Sequence, residues 1–250
     1  TYRGQQFCHD AYSSAARRVG ETLFIRTTQF AEDSSPLAHP IRPEAYRAIW
    51  NFYTPTVYQK GAEVVRMLST LLGPENYRKG CDLFFDRHDG QATTADDFIA
   101  ALQEASGKDL SQFKLWYSQT GTPRVAVRGE YNSERKEFTV SVQQNATPPL
   151  QFPMSISLLG QQGPMPLRLS GNENADQYYI VLDITKGEQT FVFEQVSEAP
   201  VPSLFRDFSA PVKYTYHYSF NDLLRLLQKE PSGYCRWEAS QLVWLAVIKQ

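Results

Sequence analysis

The stretch Thr54-Pro55-Thr56-Val57-Tyr58-Gln59-Lys60-Gly61-Ala62-Glu63-Val64-Val65-Arg66-Met67-Leu68-Ser69-Thr70-Leu71-Leu72-Gly73-Pro74 decides the fold. It predicts a helix with both ends marked. Thr54 is a good N-cap, and Pro55 at the first helical position has the right fixed φ and no amide hydrogen to leave unpaired. Gly73 followed by Pro74 is an equally clear stop. Val57, Gly61, Val64, Leu68 and Leu71 fall on one face at three- and four-residue spacing, the stripe of a core-facing helix. Tyr58 stands one step off that stripe, near the helix N-terminus, where positive partial charge gathers. Its phenol has two readings, a core packing group or a hydrogen-bond donor facing a cleft.

Outward from this helix, residues 1–120 read as mainly helical. Tyr12 to Phe30 carries Ala15, Val19 and Leu23 at helical spacing, weakened by Gly20. Three prolines between Pro36 and Pro43 forbid a regular helix and impose a stiff, extended loop. Pro43 can open a short helix from Glu44 to Asn51. Pro74 opens the next helix, through Tyr77, Cys81, Phe84 and Phe85 to His88-Asp89-Gly90. Thr94 caps another, with Asp96 and Asp97 in its first turn and Ser106-Gly107 at its end. Leu110 to Ser118 carries Phe113, Trp116 and Tyr117 and ends before Gly121.

The period changes after Gly121-Thr122-Pro123. Arg124 to Arg128 and Glu137 to Val142 alternate, and strand-like runs follow at Phe152–Leu159, Met165–Leu169, Tyr178–Ile184, Gln189–Phe193 and Val201–Phe208. Turn residues separate them, among them Gly160 to Gly163, Gly171 to Asn174 and Lys186-Gly187. Short strands at this spacing predict an antiparallel sandwich. A second change comes at Lys213 to Tyr218. Ser219 caps a helix with Leu223, Leu224, Leu226 and Leu227, Pro231 breaks it, and Ser232 caps another with Trp237, Leu242, Leu245 and Ile248. Two amphipathic helices around a tight turn predict the first unit of a helical solenoid, whose faces need neighbours. The start without Met and the uncapped apolar end predict a piece of a longer protein.

With 250 residues, 42% hydrophobic and 21% charged, the composition is that of a globular chain. A net charge of −2 offers no basic footprint for nucleic acid. No apolar run reaches membrane-spanning length. Cys8, Cys81 and Cys235 form neither a metal-ligand spacing nor a disulfide framework and read as reduced thiols in a reducing compartment. The histidines, His9, His39, His88 and His217, are never four residues apart. There is no His-Glu-x-x-His, no Cys-x-x-Cys, no Gly-x-Ser-x-Gly and no phosphate-binding glycine loop. His39 reads as a loop histidine holding backbone, and His88 as a partner of its helix C-terminus. Asn145-Ala146-Thr147 reads as a chance sequon, and Glu32-Asp33 as a solvated turn. The residues alone offer no enzyme.

Several segments resemble the aminopeptidase N family of zinc metallopeptidases, and its bacterial-type branch in particular. They are Gln29 to Pro43, Asn51 to Val64, Arg87-His88-Asp89-Gly90, Trp116 to Pro123, Glu188 to Phe193 and Phe208 to Lys213. The resemblance implies a multidomain α+β architecture. Residues 1–121 would be the helical half of a thermolysin-like catalytic domain, 122–213 an antiparallel immunoglobulin-like β-sandwich, and 214–250 the start of an α-helical solenoid. It implies that the family's zinc ligands and general base lie upstream of Thr1, so that zinc belongs to the full-length parent and this fragment binds none and is inactive. It assigns Tyr58 as the catalytic oxyanion donor and Tyr53 as a wall of the substrate side-chain pocket. The implied parent is a cytoplasmic, monomeric enzyme that removes N-terminal residues from peptides, completed by the missing upstream and downstream segments, without nucleic acid or membrane. The competing expectation is a non-enzymatic binding or scaffold module in which Tyr58 is structural.

Overall fold

A computed structural model describes residues 1–171 and 177–248; the turn expected at Gly171 to Asn174 lies largely outside them. Helices α1 (Tyr2–Ala11) and α2 (Ser14–Phe24) lead through a π turn, Ile25–Gln29, into the short α3 (Phe30–Asp33). The first helical segment thus begins ten residues earlier than expected, and Ser13 caps α2 by accepting from Ala16 N. The predicted helix Glu44–Asn51 is absent except for a 3₁₀ turn at Ile49–Phe52. The side chain of Asn51 accepts from Arg47 N and Ala48 N, and this local bonding competes with helix.

The central helix is α4 (Gly61–His88), broken where expected: Gly73 sits at φ 74°, ψ 162°, ahead of Pro74. That left-handed φ suits glycine. Helix α5 (Ala95–Ser106) opens on a capping box between Thr94 and Asp97, and α6 (Leu115–Ser118) follows a 3₁₀ turn. Helices α4 and α5 approach closely at Gly80, where a Cβ would lie 3.0 Å from Leu102 Cα. Gly80→Ala is therefore expected to destabilise the chain by about 1–3 kcal/mol through overpacking, read as a lowered urea midpoint; an unchanged midpoint would show that the two helices part freely.

The sandwich has two sheets. One runs β5-β2-β1-β7 and the other β4-β3-β6, with β1 Arg124–Asn132, β2 Glu137–Gln144, β3 Phe152–Leu159, β4 Ile180–Ile184, β5 Glu188–Phe193, β6 Val201–Ser203 and β7 Lys213–Thr215. Register pairs Val125 with Gln144 and Phe138 with Phe193. Alternation explains β2, whose Phe138, Val140 and Val142 face inward. β3 is buried along its whole length because α4 and α7 pack against it as well. Three expectations are corrected. Met165–Leu169 makes only isolated bridges, Leu167 to Gln177 and Leu169 to Phe193. Val201–Phe208 is a strand only to Ser203, because Phe205, Asp207 and Phe208 turn to positive φ. The sandwich is not wholly antiparallel, since β7 pairs parallel with β1; the sheet thus crosses the boundary expected at residue 213.

One hydrophobic core joins α4 and α5 to both sheets through Leu68, Leu102, Trp116 and Phe152. Trp116 donates from Nε1 to Gln151 O at 2.7 Å, which satisfies its one polar atom. Helices α7 (Phe220–Lys229) and α8 (Gly233–Ile248) pack on each other, α7 against the sandwich and α8 against α2.

Candidate active site

The decisive helix does not begin as an α-helix. Thr56–Lys60 forms a π turn before α4, and Thr54 caps it by accepting from Val57 N at 3.2 Å. A π turn inserts one residue, and such turns concentrate at functional sites. The insertion redistributes the predicted stripe. Thr56 and Lys60 point inward and are fully buried, while Val64 and Leu68 remain core. Val57, Tyr58 and Gly61 instead line a groove of about 1450 Å³, together with Ile41, Phe52 and Tyr77.

The two readings of Tyr58 now separate. It is 42% exposed on the groove wall, so it is no core group. Tyr53, 67% exposed, stacks on it with ring centroids 5.9 Å apart and planes at 21°. The two tyrosines named from the sequence are therefore in contact.

What holds this turn was not legible in the sequence. A second π turn, Ile25–Gln29, packs beside the first. Gln29 Nε2 donates to Thr56 Oγ1 at 3.2 Å. Glu32 Oε2 accepts from Thr56 N at 2.9 Å and from Thr56 Oγ1 at 2.5 Å. Asp33 Oδ2 accepts from Lys60 Nζ at 2.8 Å and from Thr122 Oγ1 at 2.9 Å, and Lys60 Nζ also donates to Gly121 O at 2.8 Å. Glu32-Asp33 is thus no solvated turn. Burial pulls the Lys60 ammonium below its ordinary pKa, and the Asp33 carboxylate opposes that pull only in part. The available sequence signal was Lys60 itself, a cation that the π turn carries to a buried position.

One helical turn further, Glu63 receives a two-pronged hydrogen bond from Arg18, NH1 to Oε1 at 2.7 Å and NH2 to Oε2 at 2.5 Å. Burial would raise the Glu63 carboxyl, but Arg18 and, to a lesser degree, Arg66 outweigh it and hold it below the ordinary value. Arg18 also donates to the carbonyls of Asp207 and Phe208. One guanidinium therefore ties α2, α4 and the sandwich together.

Among the described residues, no three His, Cys, Asp or Glu side chains converge in a way that could hold a metal ion. Zinc, which the resemblance implies for the parent, has no such three-ligand group among the described residues. His9 pairs with Glu21 at 3.0 Å, His39 Nδ1 lies 2.9 Å from Pro40 O, and the His88 ring packs against Phe84. The three cysteines are free, and burial pushes the Cys235 thiol up to about 11. No helix among the described residues is long and apolar enough to cross a membrane.

Residues 1–117 match the Peptidase family M1 domain, and residues 121–217 match a domain of unknown function with an Ig-like fold. Aminopeptidase N of Escherichia coli is 46% identical over 99% of this chain and 29% of its own length. Aminopeptidase N of Caulobacter vibrioides is 41% identical over 96% of this chain and 28% of its own. The crystal structure of Legionella pneumophila aminopeptidase A in complex with aspartic acid superposes with a TM-score of 0.76 at 32% identity, covering 84% of this chain and 24% of that one. The chain spans about three-tenths of the length of the curated relatives it matches so extensively. A helical M1 segment and an Ig-like sandwich, each matched in place and carried together at this identity, make the chain a member of the aminopeptidase N family of peptidase family M1.

Proposed function

We propose that this chain is the part of a zinc-dependent aminopeptidase that presents Tyr58 to the reacting carbonyl and Tyr53 to the side chain of the substrate's first residue. The observation that carries the reading is the π turn, which takes Tyr58 out of the core and sets it, stacked on Tyr53, on the wall of a large groove. A scaffold role for Tyr58 would call for a packed phenol, and this one is half-exposed.

The chemistry assigned to this chain is a single hydrogen bond. When a scissile carbonyl is attacked, its oxygen gains negative charge. The Tyr58 hydroxyl, a neutral donor held near a helix N-terminus, donates to that oxygen more strongly in the transition state than in the ground state. Substrates are peptides with a free N-terminus. The metal and the general base come from parts of the parent outside these 250 residues, which also seat in the groove. The parent is a cytoplasmic monomer without nucleic-acid or membrane partners. Its division is a catalytic segment at 1–121, a sandwich from 122 and, from α7 onward, the first helices of a solenoid. The apolar Trp244, Leu245 and Ile248, exposed at the end of α8, suit cover by further helices. Appending the parent's next helices is expected to slow amide exchange in α8, and unchanged exchange would remove the solenoid reading.

The 250-residue chain alone is expected to bind no stoichiometric zinc and to release no anilide from amino-acyl anilides. Metal analysis and the anilide assay check this. One zinc per chain or steady turnover would overturn the assignment of the metal and base to the rest of the parent.

A further inference from the structure

We propose that Glu32 and Asp33 are positioning residues: two adjacent carboxylates clamp the π turn two residues before and two residues after Tyr58, and so fix where its phenol points. The inference rests on the oxyanion-donor reading of Tyr58 and deepens it. Tyr58 is half-exposed, and its ring is stacked on a tyrosine that is more exposed still. Side-chain packing therefore does little to hold the phenol, and its place is set by its backbone. That backbone is a π turn, a rare conformation found mostly as single turns at functional sites.

The surroundings are specific. Glu32 takes both donors of Thr56, the amide and the hydroxyl. Asp33 takes Lys60 Nζ, which Gly121 O holds from the other side, and Thr122 braces the same carboxylate oxygen. Thr56 and Lys60 are the two fully buried residues of the turn, and Tyr58 lies midway between them. Both acids sit at the end of α3, so one rigid element supplies both jaws. A carboxylate on the first amide of the π turn that runs into α4 also suits the positive end of that helical run. A group held this way keeps its aim without touching substrate, and displacement of a catalytic group by about 1 Å can cost about a hundredfold in rate.

The test uses the full-length, zinc-loaded parent with Glu32→Gln, Thr56→Val, Tyr58→Phe and the double variant Glu32→Gln/Tyr58→Phe. Glu32→Gln is expected to lower kcat roughly 10- to 100-fold with KM within about threefold. The double variant is expected to be no slower than Tyr58→Phe alone, because both changes remove the same hydrogen bond. Thr56→Ser, which keeps the hydroxyl, retains the rate that Thr56→Val loses. A readout independent of turnover is the ¹⁹F resonance of 3-fluorotyrosine at position 58 in the metal-free parent, expected as one narrow line that broadens or splits in Glu32→Gln. Asp33→Asn, the matching change at the other jaw, is expected to lower kcat in the same way; should it fail to fold, Glu32→Gln and Thr56→Val still decide the matter. A slow Tyr58→Phe enzyme beside a full-speed Glu32→Gln enzyme with an unchanged ¹⁹F line overturns the clamp alone, as do losses that multiply. An unchanged kcat in Tyr58→Phe overturns the oxyanion reading and the clamp with it.

Discussion

In the full-length parent, Tyr58→Phe is expected to lower kcat by about 10²–10³-fold, the effect of removing one oxyanion donor, about 3–4 kcal/mol, while KM stays within about twofold. The substitution deletes one oxygen and keeps the ring. The ring is what stacks on Tyr53 at 5.9 Å, and the backbone of the turn is anchored through Thr56 and Lys60 rather than through residue 58. The folded protein should therefore lose no more than about 0.5 kcal/mol, as for other surface changes. Steady-state kinetics on amino-acyl anilides, with a urea titration of the same sample, separates the two quantities. A kcat equal to that of the parent would return Tyr58 to the role of a groove-wall packing group. Tyr53→Ala is the complement. It removes the ring that Tyr58 leans on and a wall of the proposed side-chain pocket, so its effect belongs mainly in KM and in substrate preference.

Breaking the Arg18–Glu63 pair is expected to cost about 3–5 kcal/mol of stability, the penalty of taking the main partner from a buried charge. Both side chains are almost wholly out of water, at 3% and 1% exposure, so solvent does not screen them. In Glu63→Ala the guanidinium stays buried over the Phe208 ring with its two-pronged partner gone and Glu21, 3.1 Å from NH1, as its remaining carboxylate partner. In Arg18→Met the carboxylate is left facing Arg66, 3.7 Å from its Nε. Arg18→Met also removes the two donors that hold the carbonyls of Asp207 and Phe208, in a segment where Phe205, Asp207 and Phe208 all have positive φ, between 47° and 54°. Such a run of non-glycine residues needs external support. Urea unfolding of Arg18→Met, Glu63→Ala and Arg18→Met/Glu63→Ala measures the coupling. The double variant should lose less than the sum of the singles, and strict additivity would show that the pair does not interact as drawn.

The same pair sets an acid limb. The Glu63 carboxyl is held below its ordinary value in the fold and titrates at about 4.3 when unfolded. Its contribution is therefore fully present above that value and is lost as pH falls through the folded one. As pH falls below about 4.3 the native chain should lose stability that Glu63→Ala never had, so the gap between their urea midpoints narrows on acidification. A gap that is constant or widens would contradict the sign.

The sequence by itself determined the elements whose causes are local. Thr94 and Ser219 marked helix starts because a cap needs only its own next three residues. Gly73-Pro74 marked a break because φ and a missing amide hydrogen are properties of those two residues. Alternation found most of β1 and β2, since side chains in a strand change sides at every residue, and a strand-like run marked most of β5. Tyr58 and Tyr53 were named as a site from resemblance, and their mutual contact follows from the fold. What only the tertiary structure decided has long-range causes. The stripe through Val57 and Gly61 assumed 3.6 residues per turn, and a π turn imposed by Glu32 and Asp33, more than twenty residues away, moved those positions to the groove and buried Thr56 and Lys60 instead. The pairing of Lys213–Thr215 with β1 and the triple grip of Arg18 likewise join residues that are distant in the chain. Periodicity reports which face of an element is apolar. It carries no signal for a buried carboxylate that recruits its cation and its amide donors from another part of the chain.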